Sequence, residues 1–189
     1  MKFNILSVCT MLSAMGLLAA CQAAAQDKHE HEAIKEAVAV LVPSKGSTTT
    51  GVLLLKQEDG YVQVTGEVKG LTPGKHGFHI HMFGDLRSPD GMSAGGHYNP
   101  HGKPHGKPDA HDRHEGDLGN IDAGEDGVAK VDVQAKNLEL HHVIGRGVVV
   151  HKDADDFSQP VGNAGPRIAV GVIGLAEVKA PAAGAAKKK

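Results

Sequence analysis

The chain has 189 residues, room for one domain of ordinary size once processed ends are set aside. Its 20 Lys and Arg against 22 Asp and Glu leave no electrostatic basis for nucleic acid or an acidic membrane surface as the main partner. Its 25 glycines and 3% aromatic residues suit tight turns and a small-residue β core, and 13 histidines point to zinc or copper, which imidazole binds well.

In chain order, Met1 and Lys2 form a short positive region, and a mostly apolar run follows from Phe3 to Ala20. With no stop-transfer pattern behind it, 1–20 reads as a secretory signal peptide. Leu18-Ala19-Ala20-Cys21 resembles the bacterial lipoprotein processing site, so Cys21 is expected to become the lipidated first residue. Cys9 leaves with the signal, and the mature chain then has neither a free thiol nor an internal disulfide. Several acyl chains on one terminus would hold the protein stably at a membrane. These features predict an exported protein of the cell envelope, in the periplasm or on the extracellular face.

Residues 21–36 read as a flexible tether, with His29 and His31 on a solvated charged segment. From 37 to 179 the period is two: Val38, Val40 and Val42 alternate with smaller residues, as do Val62, Val64, Gly66 and Val68. Short apolar runs at 51–55, 147–151 and 168–176 and turn clusters such as QEDG, GLTPG and AGEDG complete the pattern. It predicts an all-β domain of seven or eight antiparallel strands, a sandwich or a barrel, with one long irregular insertion and a shorter one. Residues 180–189, ending in three lysines, read as a disordered basic tail.

The long insertion contains GGHYNPHGKPHGKPDAHDRHEGD, 95–117, with five histidines and no hydrophobic run. A loop of this length inside a compact domain needs a reason, and metal ligation supplies one. Upstream, HGFHIHMFGD at 76–85 puts His79 and His81 on one face of a strand, about 6–7 Å apart at the backbone. Alone, that spacing fits an exposed edge pair equally well. His97, His105, His114, Asp117 and His151 extend the set, each in a distinct local context.

The blocks GFHIHMFGD, GGHYNP, HEGDLGN, GVVVHKDADD and GNAGPRIAVGVIGLA resemble the copper–zinc superoxide dismutase family. The spacings from His97 to His105, His114 and Asp117 are also those of the family, and the resemblance covers about 37–179. It implies an eight-stranded antiparallel Greek-key barrel or sandwich, immunoglobulin-like, with a long metal-binding loop and a short second active-site loop. It further implies copper on His79, His81, His97 and His151, and zinc on His97, His105, His114 and Asp117, with His97 bridging. Four nitrogens suit Cu(II), and three imidazoles with a carboxylate make a closed zinc site. Asp155 matches an aspartate that links a copper ligand to a zinc ligand, and Arg167 matches the arginine that binds the anion beside copper. The implied reaction converts superoxide to O2 and H2O2, guarding the envelope against superoxide. The alternative is a non-catalytic copper or zinc carrier on the same fold.

Two departures stand out. The family's disulfide positions fall on Gly91, or the neighbouring Met92, and on Val170, so order in loop 84–96 is expected to lean on zinc and packing. Between His151 and Arg167 the loop is short and Lys152 is its only lysine, which predicts weak electrostatic steering. FGD at 83–85, IGR at 144–146 and the GVIGLA end resemble the eukaryotic-type interface, which implies a homodimer. His101, His111, His141 and His142 match no ligand position.

Overall fold

In a computed structural model the described residues are 33–177; the signal, Cys21, His29, His31 and the basic tail lie outside them. Eight strands run β1 Glu36–Pro43, β2 Thr50–Glu58, β3 Tyr61–Lys69, β4 Gly74–His81, β5 Asp117–Ala123, β6 Val128–Lys136, β7 Gly147–His151 and β8 Arg167–Leu175. They close into one antiparallel barrel in the order β1-β2-β3-β6-β5-β4-β7-β8, which decides between barrel and sandwich. The non-sequential neighbours β3–β6 and β4–β7 are the crossovers of a Greek key. A short helix, α1 Leu140–Val143, interrupts the β6–β7 connection.

The period-two pattern sorts side chains between barrel interior and exterior. In β1 two alanines and a leucine face inward: Ala37, Ala39 and Leu41 are buried, whereas Val40 and Val42 are exposed. In β2, Leu53 and Leu55 point in while Val52 and Leu54 point out. Val62, Val64 and Val68 of β3 join Phe78, Ile80, Ala129, Ala169 and Ile173 in the same core. Small residues opposite large ones fill a narrow barrel, which explains a core with so little aromatic content.

Strand β4 departs from the alternation, because its last six residues are all buried. Phe78 and Ile80 face the barrel core, while His79 and His81 face outward and are covered. The cover comes from the connection between β4 and β5 (82–116) and that between β7 and β8 (152–166). The first is zippered onto the barrel near His97: Tyr98 donates to the Ile80 carbonyl at 2.8 Å, and Met82 to that of Gly96 at 2.9 Å. Gly116 donates to the Tyr98 carbonyl at 2.9 Å, returning the loop to β5. Backbone hydrogen bonds on both sides of His97 thus hold the long insertion against β4.

Of the two candidate disulfide positions, Gly91 is the one that meets Val170. A β-carbon built there would lie 2.8 Å from Val170 Cγ2, whereas Met92 is 61% exposed. Val170 instead packs in a small apolar cluster with Ala94 and Val149, which holds this part of the loop on the barrel.

Candidate metal centre

Six histidines and Asp117, scattered over 73 positions of sequence, converge outside β4. His79 and His81 come from β4, His151 from the end of β7, and His97 from the loop segment bridged to His81. One ligand atom from each of these four lies within 4.8 Å of the others. A second group of His97, His105, His114 and Asp117 meets the same limit, so His97 is common to both. All seven side chains are buried.

Burying this many imidazoles needs compensation, and the hydrogen-bond pattern shows where it stops. His81 Nδ1 faces the Gly95 carbonyl at 2.8 Å, and His151 Nδ1 that of Gly165 at 3.0 Å. His79 Nε2 faces Asp155 Oδ2 at 2.8 Å. Each ring is fixed through one nitrogen, while His79 Nδ1, His81 Nε2 and His151 Nε2 have no hydrogen-bond partner. His105 Nδ1 is also orphaned; it lies 2.9 Å from Asp117 Oδ2 but out of line for a hydrogen bond. His97 Nδ1 and His114 Nδ1 sit at hydrogen-bond distance, 2.8 and 3.1 Å, from Asp117 Oδ1, which gathers these three donor atoms at one point. Unpartnered buried donors at these positions fit a nitrogen-rich copper site beside a three-imidazole, one-carboxylate zinc site.

Electrostatics prepares the same atoms. Desolvation pushes His79 down to about 4 and His151 to about 3, and holds His81 well below the ordinary imidazole range. These rings are therefore neutral near pH 7, the form that binds metal. Desolvation also lowers His114. At His105 the same burial is outweighed by the carboxylates of Asp117 and Asp155, so its net shift is upward. Burial opposes ionisation of Asp117, but the close His105 ring and the hydrogen bond with His97 overcome it and hold the carboxylate well below its usual range.

Asp155 links the two groups from behind. Its carboxylate meets His79 Nε2 and also His105 Nε2, at 3.0 Å through Oδ2. Burial works against its charge, yet the two histidines lower it to about 2. Such a carboxylate orients both rings and makes their free nitrogens better donors. Arg167 begins β8 opposite His151 and is half-buried. It donates to the Gly91 and Gly95 carbonyls, both at 2.6 Å, which aims a permanent positive charge beside the first group.

The remaining histidines divide clearly. His101 pairs with Glu115 at 2.9 Å on an exposed side chain, and His111 pairs with its neighbour Asp112 in solvent. Glu139, His141 and His142 form a further donor group, but all three are exposed on the β6–β7 connection and nothing directs them toward a ligand. Three supporting residues escape a reading of the sequence. Asn120 brackets the backbone of Asp155, accepting from its N–H at 2.7 Å and donating to its carbonyl at 3.0 Å. Buried His76 faces the carbonyl oxygens of His151 and Thr72, each at 2.9 Å. Arg113 donates to the carbonyls of Pro108, His114, Glu115 and Lys136, closing the end of the loop. Asn120 and His76 lie inside the histidine-bearing motifs, but their partners are distant in sequence.

Comparison with known proteins agrees with this geometry. The family model described as copper/zinc superoxide dismutase (SODC) matches residues 49–173. A protein of Onchocerca volvulus named superoxide dismutase [Cu-Zn] is 45% identical over 154 residues, spanning 74% of this chain and 95% of that protein. A crystal structure of the clock protein EA4 superposes with a TM-score of 0.69 at 41% identity, covering 75% of this chain and 95% of that one. The chain belongs to the copper/zinc superoxide dismutase family.

Proposed function

We propose that this protein converts superoxide to O2 and H2O2, with copper held by His79, His81, His97 and His151 and zinc by His97, His105, His114 and Asp117. The observation that carries this reading is two buried four-donor groups sharing His97, with unpartnered nitrogens aimed inward and Arg167 alongside. When bound, copper supplies the one-electron couple that oxidises one superoxide to O2 and reduces a second, which leaves with two protons as H2O2. Arg167 binds and orients the anion, and its carbonyl partners keep the guanidinium in place. His97 would be shared between the two sites, and its ring nitrogen toward the first group could hold a proton for the reduced product only when that nitrogen is not holding metal. Asp155 fixes His79 and His105 relative to one another, and the zinc-side residues order the loop rather than exchange electrons.

The competing reading is a metal carrier on the same barrel. Retention of all four copper-side histidines together with Arg167 favours catalysis. The deciding experiment is a superoxide dismutation assay on copper- and zinc-loaded protein beside Arg167→Ala. We expect copper-dependent turnover and a loss of about ten- to a hundredfold in the variant, the worth of one charge-assisted contact. Metal binding without copper-dependent activity would establish the carrier.

The exported, lipid-anchored placement at the cell envelope rests on residues 1–21; labelling with an alkynyl fatty acid, abolished in Cys21→Ser, tests it. No helix among the described residues is long and apolar enough to cross a membrane. A homodimer is supported by the convergence of 83–85, 144–146 and the end of β8 on one surface. Gly84 donates to the Gly145 carbonyl at 3.0 Å and Gly145 to that of Ile173 at 2.8 Å, with Phe83 and Leu175 exposed. Sedimentation of wild type against Phe83→Asp tests it, with a monomeric wild type as the refuting result.

A further inference from the structure

The β7–β8 connection meets one histidine three times at alternate residues. Asp155 holds the ring nitrogen of His105. Two residues on, the Phe157 ring lies within 24° of parallel to the His105 ring, centroids 6.2 Å apart. Phe157 takes φ 60° there, and its N–H donates to Asp155 Oδ1 at 2.9 Å. Two residues further, Gln159 pairs with the His105 main chain. Its Oε1 accepts from the His105 N–H at 3.0 Å, and its Nε2 donates to the His105 carbonyl at 2.7 Å.

We propose that Gln159 is a positioning residue for the zinc side of the centre, a two-point strap that fixes the backbone of His105; this rests on the reading of His105 as a zinc ligand. His105 sits in a stretch without regular structure, between Pro104 and Gly106, so no strand or helix partners its main chain. Its side chain is wholly covered, and a buried backbone N–H and C=O need partners. The primary amide of glutamine offers one acceptor and one donor side by side, and so mimics a neighbouring strand. The strap joins the two connections that cover the metal centre in a chain whose loop 84–96 lacks a covalent tie at Gly91 and Val170. A carbonyl or carboxylate on its own could satisfy only the N–H, so the identity of the residue matters.

Gln159 is exposed on its outer side, so its replacement leaves the barrel core untouched. The test compares metal-loaded full-length wild type with Gln159→Met, which keeps the bulk and loses both hydrogen bonds, and with Gln159→Glu, which keeps only the acceptor. Zinc and copper release into excess chelator are followed separately, and the visible spectrum of protein with Co(II) in place of zinc reports the geometry of that site. We expect zinc release about tenfold faster in Gln159→Met, in the range set by other residues that orient metal ligands, with Gln159→Glu in between. Copper release stays within about twofold and the Co(II) bands shift. Zinc release equal to wild type, or equal acceleration of both metals, overturns the strap. A wild type that takes up no zinc at all would overturn the assignment of His105 itself, a distinct result.

Discussion

Replacing Gly91 and Val170 together by cysteine would build a cross-link at the place where the chain now relies on packing. A β-carbon at position 91 lies 2.8 Å from Val170 Cγ2, one bond beyond the β-carbon of residue 170. The two β-carbons therefore fall at about 4 Å, inside the range that a disulfide spans. The bond closes a loop of about 80 residues, which loop entropy values at about 4.5 kcal/mol, and measured bridges typically contribute about 2–4 kcal/mol. Two costs oppose it. Position 91 has φ 75°, which costs an L-residue about 1–2 kcal/mol. Val170 is 3% exposed, and trimming its side chain costs about 1 kcal/mol. Both costs are also present in the reduced variant, so the oxidised and reduced forms of metal-free Gly91→Cys/Val170→Cys isolate the bond. Thermal unfolding should place the oxidised form about 5–15 °C higher, since each kcal/mol moves a domain of this size by about 2–4 °C. Failure of the thiols to pair under mild oxidation would refute the register of loop 84–96 on β8. Pairing without any gain would refute the estimate that closing this loop of about 80 residues stabilises the fold by about 2–4 kcal/mol.

In the unmodified chain, proteases should cut within 84–96 readily in the metal-free protein and slowly once zinc is bound; equal resistance in both forms would contradict dependence on the metal. The catalytic rate should fall only shallowly with ionic strength, because Lys152 is the only lysine between His151 and Arg167, and a steep fall would show strong steering. Gly162 has φ 73°, and a β-carbon there would run into Asp155 Oδ1 and approach His105 Nε2 to 3.2 Å. Gly162→Ala should therefore displace Asp155 and weaken retention of both metals by about tenfold or more, measured by competition with a chelator; unchanged retention would remove Asp155 from its linking role.

Strand period and motif spacing carry much of what this protein is. Alternation in 37–179 specifies an all-β domain because side chains on a strand repeat every two residues, and the resemblance of the histidine motifs to the family nominates the seven donors. Period alone leaves open which face is inside. In β1 the larger valines lie outside and the alanines inside, because a small closed barrel has room only for a mix of small and large side chains. Closure into a barrel, the covering of β4 on both faces and the meeting of Gly91 with Val170 depend on residues far apart in the chain, so they are settled by packing. The same holds for the amide straps of Asn120 on Asp155 and Gln159 on His105. An amide side chain carries no motif of its own, and its partner is a backbone group that every residue possesses. Residue identity and spacing name the atoms able to bind metal. The fold selects which of their nitrogens are left without partners: burial removes water, and among the described residues the buried side-chain atoms that the hydrogen-bond network leaves unpaired are His79 Nδ1, His81 Nε2, His105 Nδ1 and His151 Nε2.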